Sequence, residues 1–430
     1  MPIEHAQVQS HDPYEPDVMK MEIEVRVARS LPEVEALREA WTGWPGHRDS
    51  DIDMFLMIVQ SLPEVIRPHV VALHRDSKLE SILVGRLERK RFNFKVGYLS
   101  LFRPWARCIT FSYGAVHGND SPENTESLVR AVIDSLKQNE ADMAMFSFVP
   151  LDMPLYHVAL RTPGILSRDT LPAPQGHDSL DIPASIDEVY RRMSRERRKH
   201  TKASVKKLEA APMGEVRIAC YQNTSELDDL FRDAEGIAKS TYQRGLGVGF
   251  ADNPAVRTRL ELGARKGWLR GFVLYLGNRP CAYWIGMLYH GSFVSEYMGY
   301  DPEFRQYSPG MVLIMRVIEG FCNRAGGDVV KELDFGLGHA EYKGVLCSKT
   351  WQEAIVFIFS TTPKGLALKL ERTATRLLDG AVRRVLASGN LLPRLKRAWR
   401  DRLARVARGG YSRKRLQDLE GNNEALKHEA

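Results

Sequence analysis

The order of predicted elements repeats within the chain, and this repeat constrains the fold more than any other feature. Apolar alternation and helical spacing predict a strand, helices, several strands, a helix and a strand in each half. In the first half the predicted segments are 21–27, 31–37, 54–62, 69–73, 81–87, 97–102, 108–111, 121–137 and 142–149. In the second half they are 216–221, 227–242, 254–266, 268–276, 281–289, 293–300, 310–324, 332–335 and 351–358. The repeat is one of element order, without evident sequence identity, and it predicts two layered α/β units in tandem.

The length of 430 residues agrees with more than one domain. We predict a disordered lead-in at 1–18, a first α/β unit at 19–184 and a basic connecting helix at 185–212. A second unit at 213–362 and a basic helical tail at 363–430 complete the chain. The expected fold class is α/β (α+β), with mixed and mostly antiparallel sheets.

The positive charge is concentrated near the end of the chain. Between Thr361 and Arg415, sixteen Lys and Arg face three acids, which gives +13 and leaves −6 for the rest of a chain with net charge +7. Three interpretations of this tail stay open. It lies on an anionic membrane with Trp399 inserted, it binds RNA, or it packs on the protein with its charged face in water. Nucleic acid is the least favoured of these partners.

Several classes of protein and site are disfavoured by what the sequence lacks. The first twenty residues do not have the basic and apolar regions of a secretory signal, and no run of eighteen apolar residues predicts a membrane span. The five cysteines are scattered without CxxC spacing, and the histidines are isolated, so we expect no disulfide framework and no metal. We therefore expect a cytoplasmic protein, with a peripheral position at the inner face of the membrane as the tail's first interpretation.

The segment 300–311 lies between a predicted strand and a strongly predicted helix. Its Ser308-Pro309-Gly310 start leaves backbone N–H groups without helical partners, and such helix ends bind phosphate. Arg305 adds a full positive charge nearby. The competing interpretation is an ordinary capped helix with Ser308 as N-cap and Pro309 at the first helical position.

With Arg305, Ser308 and Gly310, this segment resembles the pyrophosphate loop of the GNAT superfamily of acetyltransferases, Arg/Gln-x-x-Gly-x-Gly/Ala, with Ser308 where the first Gly is usual. Together with 334–343, it looks like the CelD/FemAB-like branch, whose FemAB members have two tandem GNAT-like domains. The resemblance covers about 186–359. It implies acetyl-CoA or another acyl-CoA as co-substrate, bound by Arg305, Gln306, Tyr307, Ser308, Gly310 and Met311. It also associates the chain with polysaccharide or cell-envelope biosynthesis.

Three residues are candidates for the acid and base that acyl transfer requires. Glu296 lies on the strand before the loop, where GNAT enzymes often carry a carboxylate base, and strict alternation places it on one face with Met298 and Tyr300. His339 is a second candidate base and Tyr342 a candidate acid. The competing interpretation is structural, with Glu296 at a solvated edge and Tyr342 in the core.

Other side chains are candidates for binding the acceptor. Asp334 ends a predicted strand, where ligands of α/β sheets usually bind, and Lys343 follows it as a candidate for an anionic group. Arg244 lies in the Gly-rich segment 242–250, which has no preceding strand and is expected to form a flexible lid. The alternatives are that Asp334 caps a turn and Lys343 is solvated.

The predicted function is transfer of an acyl group from acyl-CoA to an amine or hydroxyl of a small molecule or saccharide. One rival is Fem-type aminoacyl transfer from charged tRNA, with RNA on the basic segment 191–207 and the tail. The other is a GNAT-like scaffold without catalysis at the membrane surface.

Overall fold

The structure is a computed structural model that describes residues 23–97, 99–241, 249–338 and 340–388. The predicted lead-in, the tail beyond Ser388, Arg244 and His339 lie outside the described residues. What the sequence predicts for them stays a prediction.

The first half begins and ends with strands, and three of its helices start at polar caps. Ser30 and Glu33 form a capping box, Asp51 accepts from two amides of its helix, and Ser121 caps the long helix after β7. The elements are β1 (Ile23–Ala28), α1 (Leu31–Glu35), α2 (Arg38–Gly43), α3 (Ile52–Ser61), β2 (Val65–Pro68), β3 (Val70–Arg75), β4 (Lys78–Arg91), β5 (Phe94–Val96), β6 (Leu99–Phe102), β7 (Trp105–Gly118), α4 (Pro122–Lys137), β8 (Met143–Pro150), α5 (Pro154–Arg161) and β9 (Pro174–Asp181).

The second half repeats this order with differences at its start. The basic segment predicted as one long helix is two helices, because Met193 and Ser194 are extended and Ser194 caps the second helix through the Arg197 amide. The elements are α6 (Ile186–Arg192), α7 (Arg195–Glu209), β10 (Val216–Tyr221), α8 (Leu227–Ala238), α9 (Pro254–Arg265), β11 (Leu269–Leu276), β12 (Arg279–Tyr289), β13 (Ser292–Tyr300), α10 (Pro309–Cys322), β14 (Glu332–Leu337), α11 (Glu341–Leu346), β15 (Lys349–Phe359) and α12 (Pro363–Ser388).

The strands of both halves join into one sheet. In it, β9 of the first half and β15 of the second half each lie beside strands of the other half. The order is β1-β3-β4-β7-β8-β15-β9-β14-β13-β12-β11-β10, with β2 beside β4, while β5 and β6 form a separate hairpin. The last strand, β15, pairs with β8 of the first half, and β9 pairs with β14 of the second. Neighbours are antiparallel except β7–β8 and β13–β14. The mixed, mostly antiparallel α/β fold is therefore confirmed, with the two sheets fused.

Apolar clusters cover both faces of the second half of the sheet. Trp284 and Phe293 pack in a cluster with α10 and α7, whereas Tyr283 and Tyr297 pack in a cluster with α8 and α9. Successive residues of β12 and β13 thus alternate between two helical layers. This layering decides which face of the sheet each side chain of the site occupies.

Candidate functional site

Strands β13 and β14 separate soon after they meet. They are parallel neighbours over three residue pairs only, Ser292 to Val294 with Glu332 to Asp334. Beyond these pairs, the described parts of β13 and β14 run on without pairing to each other. A gap therefore opens in the sheet, with residues 295–300 on one wall and 335–337 on the other. Backbone donors and acceptors of β13 along such a gap have no strand partner on that side and are available to an extended ligand that carries amides.

A β-bulge places Glu296 at the start of this gap. On β13, Tyr297 lies opposite Ile285 and Ser295 lies opposite the next residue, Gly286, so Glu296 is the extra residue. The bulge moves Glu296 to the face of Tyr297, toward α9. The expectation that Glu296 shares a face with Met298 and Tyr300 is wrong, because strict alternation breaks at the bulge.

The Glu296 side chain is 2% exposed and lies between two arginines. It forms an ion pair with Arg48, which precedes α3 in the first half, and lies 3.2 Å from the Arg259 guanidinium on α9. Arg48 also binds Asp49 at 2.7 Å. The buried carboxylate is therefore already engaged by two guanidinium groups. The edge position facing water is thus contradicted, and a role for Glu296 as base stays a prediction.

The loop before α10 leaves backbone amides available. A 3-10 turn at Pro302–Tyr307 leads to Ser308, which is left-handed with φ 51° and makes no side-chain cap. The first bond into the helix runs from the Val312 amide to the Ser308 carbonyl, at 3.1 Å. The amides of Gly310 and Met311 precede it, at a helix end where N–H groups have no intrahelical partner. Arg305 and Gln306 are exposed, and Tyr307, Ser308, Gly310 and Met311 are partly exposed.

Ser308 is the N-cap residue and Pro309 begins the helix, as the competing interpretation predicts, but the Ser308 side chain does not cap the helix. The hydroxyl cannot cap in the usual way, since the residue has left-handed backbone angles and not the extended ones of a normal N-cap. Ser308 has adopted the conformation that glycine favours, at the position where the GNAT loop usually has glycine. The partly exposed ring of Tyr300 lies against the helix start, 3.4 Å from where a Cβ on Gly310 would be.

The basic helix α7 lies beside this loop, which adds positive charge to it. The ammonium of Lys207 is 5.6 Å from the ring centre of Tyr307, and Arg316 of α10 forms an ion pair with Glu209. The sequence predicts a connecting role for this basic segment, and the fold also makes it one wall of the loop.

A second polar group of side chains lies where the two halves exchange strands. We call it the seam cluster, and it contains Tyr113, His177, Asp334, Trp351 and Glu353. Nε2 of His177 donates to Asp334 at 2.6 Å, and its Nδ1 lies 3.2 Å from Glu353. Tyr113 and Trp351 donate to the same Glu353 oxygen at 2.6 and 2.5 Å. The indole of Trp351 stacks on the imidazole with centroids 4.3 Å apart.

The seam cluster holds a buried positive charge between two carboxylates. Burial alone would lower the pKa of His177, but its contacts with Asp334 and Glu353 outweigh this and raise the pKa to about 9. Burial would raise the pKa of Asp334, yet the hydrogen bond from His177 holds it below its ordinary value. At neutral pH His177 is therefore an imidazolium, which can donate a proton and cannot accept one.

The candidates around β14 have specific partners. Asp334 accepts from His177 and from the Gly336 amide at 2.6 Å, so its carboxylate is already engaged. Lys343 is 7% exposed and donates to the carbonyls of Gly336 and Leu337, at 3.0 and 2.7 Å. Burial lowers the pKa of Lys343, against the opposing effect of the nearby Asp178 and Asp334. The alternative that Lys343 is solvated is wrong, and its ammonium orders the strand end.

Tyr342 is half-buried on α11. Its ring lies edge-on to Phe335, with centroids 6.0 Å apart, and packs against the cluster under α10. A role as acid is not tested by this packing and stays a prediction.

Four members of the site are not among the residues that the sequence nominates, and they are Arg48, Tyr113, His177 and Glu353. Arg48 comes from the turn before α3 and meets Glu296, whereas the exchange of strands brings the other three into one cluster with Asp334. The one signal in the sequence is the polar run of 176–179 within a buried strand.

Comparisons with known proteins give one family match and several structures of similar fold. Residues 195–344 match the family described as the acetyltransferase (GNAT) domain. The crystal structure of FemX matches with a TM-score of 0.53 at 12% identity, over 81% of this chain and 100% of that one. A tandem GNAT protein from the clavulanic acid biosynthesis pathway matches with a TM-score of 0.43 at 11% identity, over 79% and 99% of the two chains. No curated protein matches the sequence.

No group of three or more His, Cys, Asp or Glu in the described part of the chain could hold a metal ion. No helix there is long and apolar enough to cross a bilayer.

Proposed function

Because residues 195–344 form a GNAT acetyltransferase domain within a FemAB-like tandem fold, we propose that this acyltransferase takes its acyl group from acyl-coenzyme A. The observation that carries the proposal is the start of α10, which opens beside the gap between β13 and β14.

The loop before α10 fits a diphosphate. The amides of Gly310 and Met311 and the positive end of the helix dipole attract an anion. Arg305 and Lys207 add two full charges, from the loop and from α7. We assign the pyrophosphate of the co-substrate to this loop, with Gln306, Tyr307 and Ser308 completing its wall.

The gap between the strands fits the arm of the co-substrate. Its amides would pair with backbone groups of β13 that have no strand partner across the gap. In the transfer, a lone pair of the acceptor attacks the thioester carbonyl, the C–S bond breaks, and the thiolate leaves. The acceptor's proton goes to a base, and an acid protonates the thiolate.

The contacts of the candidate side chains guide the assignment of the acid and the base. The two arginines on Glu296 disfavour it as base, which leaves His339 as the stronger of the predicted bases. Tyr342 remains the proposed acid. Asp334, Lys343 and Arg244 remain proposed for the acceptor side, where Asp334 and Lys343 act by ordering the end of β14.

The acceptor is proposed to be an amine or hydroxyl of a small molecule or saccharide, in polysaccharide or cell-envelope biosynthesis. This rests on the resemblance to the CelD/FemAB-like branch. A second donor, an aminoacyl-tRNA, is favoured by one observation, which is that the basic helix α7 borders the loop.

Calorimetry with acetyl-CoA tests the loop. We expect Ser308→Glu to weaken binding by on the order of tenfold to a hundredfold, because it brings a negative charge to the phosphate site. Ser308→Gly should bind as well as the natural protein, since glycine adopts the left-handed angles of this position without strain.

The matched control is Ser225→Glu, which adds the same charge at an exposed residue in the 3-10 turn that follows β10. It should bind acetyl-CoA normally. Equal affinities for Ser308→Glu and Ser225→Glu would reject the loop as the phosphate site. If charged tRNA binds and acetyl-CoA does not, the donor is aminoacyl-tRNA.

A further inference from the structure

The last described helix, α12, is oriented with polar side chains toward the protein. Its buried face contains the polar Arg372, Thr375 and Asp379 beside one apolar side chain, Leu368. Its outer face is apolar, and Leu370 and Leu377 are 71% and 61% exposed there. A helix on the surface of a globular protein normally has the opposite arrangement.

Specific bonds hold α12 in this orientation. The guanidinium of Arg372 binds Asp169 at 2.8 Å and lies 4.1 Å from the ring centre of Phe357. The carboxylate of Asp379 accepts from the Gly97 amide at 2.8 Å. A rotation that buried the leucines would break these bonds and leave buried polar groups unpaired, so the apolar face stays outward.

The apolar surface continues onto two segments that contact α12. One is the β5–β6 hairpin, whose strand β5 contacts α12 and which leads into the start of β7, and the other is the loop at 164–168, where the Ile165 carbonyl accepts from Lys369 at 2.5 Å. Nine of the fifteen large apolar side chains recorded as exposed in the described residues lie on these three segments. We call them the α12 face: Leu101, Phe102, Trp105, Ile165, Leu166, Leu370, Leu377, Leu378 and Val382.

The surroundings of the α12 face are basic. The Arg89 guanidinium lies 5.7 Å from the ring centre of Trp105, and Lys369 and Arg384 extend from α12 itself. The chain continues from the end of α12 into 389–415, which contains ten Lys and Arg and a single acid, Asp401. A rim of cations around an apolar centre is the composition that binds an anionic lipid surface.

Charge argues against two other occupants of the α12 face, a second copy of the chain and the chain's own segment 389–415. A second copy would bring an identical basic rim against this one, and like charges would repel. The chain's own segment 389–415 would add about ten positive charges to a surface that is already basic. An anionic bilayer matches both the leucines and the cations.

We propose that the α12 face docks on the surface of an anionic lipid bilayer, with Leu370, Leu377 and Leu378 inserted among the acyl chains. This goes beyond acyl transfer and does not depend on which donor the GNAT domain uses. It assigns the membrane contact to a folded surface, which the basic tail would only reinforce.

Flotation of the full chain with vesicles tests the proposal. The natural protein should bind vesicles of one part phosphatidylglycerol to two parts phosphatidylcholine and should bind pure phosphatidylcholine weakly. The triple variant Leu370→Gln, Leu377→Gln, Leu378→Gln should lose at least about tenfold in partitioning, because three apolar side chains no longer insert. The matched control, Ile23→Gln, Ile66→Gln, Val329→Gln, changes exposed apolar residues elsewhere and should bind as the natural protein does.

Three results would overturn the proposal. They are failure of the natural protein to bind anionic vesicles, equal binding by the α12 triple variant, and a concentration-dependent oligomer that the triple variant abolishes. Acetyl-CoA affinity should be the same in the triple variant and the natural protein. The outcome with vesicles is therefore independent of the outcome for the proposed acyltransferase.

Discussion

His177 is the residue through which the seam cluster accommodates a buried positive charge. Its imidazole is nearly inaccessible to water, yet Asp334 on one side and Glu353 on the other favour its protonated form. Burying a charge costs free energy unless partners compensate, and here two carboxylates and two further donors to Glu353 supply the compensation. The protonation of His177 is therefore coupled to the folding of both halves.

The stability of the protein should depend on pH through His177. A folded pKa of about 9, above an unfolded value near 6.5, means that its contribution is complete below about pH 6.5 and is lost as pH rises through 9. We expect the free energy of unfolding to fall by up to roughly 3 kcal/mol across this window. His177→Gln should remove most of this dependence in urea unfolding measured at several pH values.

The control is His157→Gln, which changes an exposed histidine on α5 and should keep the slope of the natural protein. If His177→Gln and His157→Gln have the same slope between pH 6.5 and 9, the buried imidazolium does not exist.

At the scale of elements, the bulge in β13 depends on a glycine in the neighbouring strand. A Cβ on Gly286 of β12 would lie 2.5 Å from the Val294 carbonyl oxygen and 2.6 Å from the Phe293 ring. The backbone of β13 can approach this closely only because Gly286 has no side chain. The bulge in turn sets the position of Glu296 between its two arginines.

Gly286→Ala should therefore destabilise the protein by on the order of 2–4 kcal/mol, since both contacts are with atoms that packing holds in place. The matched change, Gly236→Ala, is on the exposed side of α8, where a Cβ would meet nothing within 4 Å. It should stabilise by about 0.5–1 kcal/mol through helix propensity. Chemical denaturation of both variants measures the difference, and equal stabilities would mean that β13 can shift at no cost.

The elements also show how far the sequence alone could lead. The repeat of element order, the β12 and β13 strands and the helix after Tyr307 follow from local periodicity and turn residues, and all are present. The bulge at Glu296 and the break at Ser194 were missed, because periodicity assumes unbroken elements. The partners of Asp334 were missed because strand pairing joins residues more than 150 positions apart, and no local pattern encodes it.

At the scale of the whole molecule, the exchanged strands make each half complete the other. The β9 strand ends the first half in sequence, yet both of its neighbours, β14 and β15, come from the second. The β15 strand ends the second half and has β8 and β9 as neighbours. The predicted units 19–184 and 213–362 thus have their ends in each other's part of the sheet. The seam cluster lies where these strands meet. Its hydrogen bonds join side chains of the first half to side chains of the second, so a substitution in one half alters contacts of the other.

The two predicted units should consequently fail to fold when they are expressed separately. In 19–184, β9 has no strand to pair with, and in 213–362, β15 has none, so each fragment exposes unpaired backbone and apolar surface. We expect both fragments to aggregate or to lack protected amides in hydrogen exchange, whereas the full chain unfolds in one cooperative transition. Co-expression of 1–212 with 213–430 should restore a folded complex, because the two pieces together supply every strand. A fragment that folds alone with native-like protection would show that its sheet closes without the exchanged strand, and the seam would then join two domains that are independently stable.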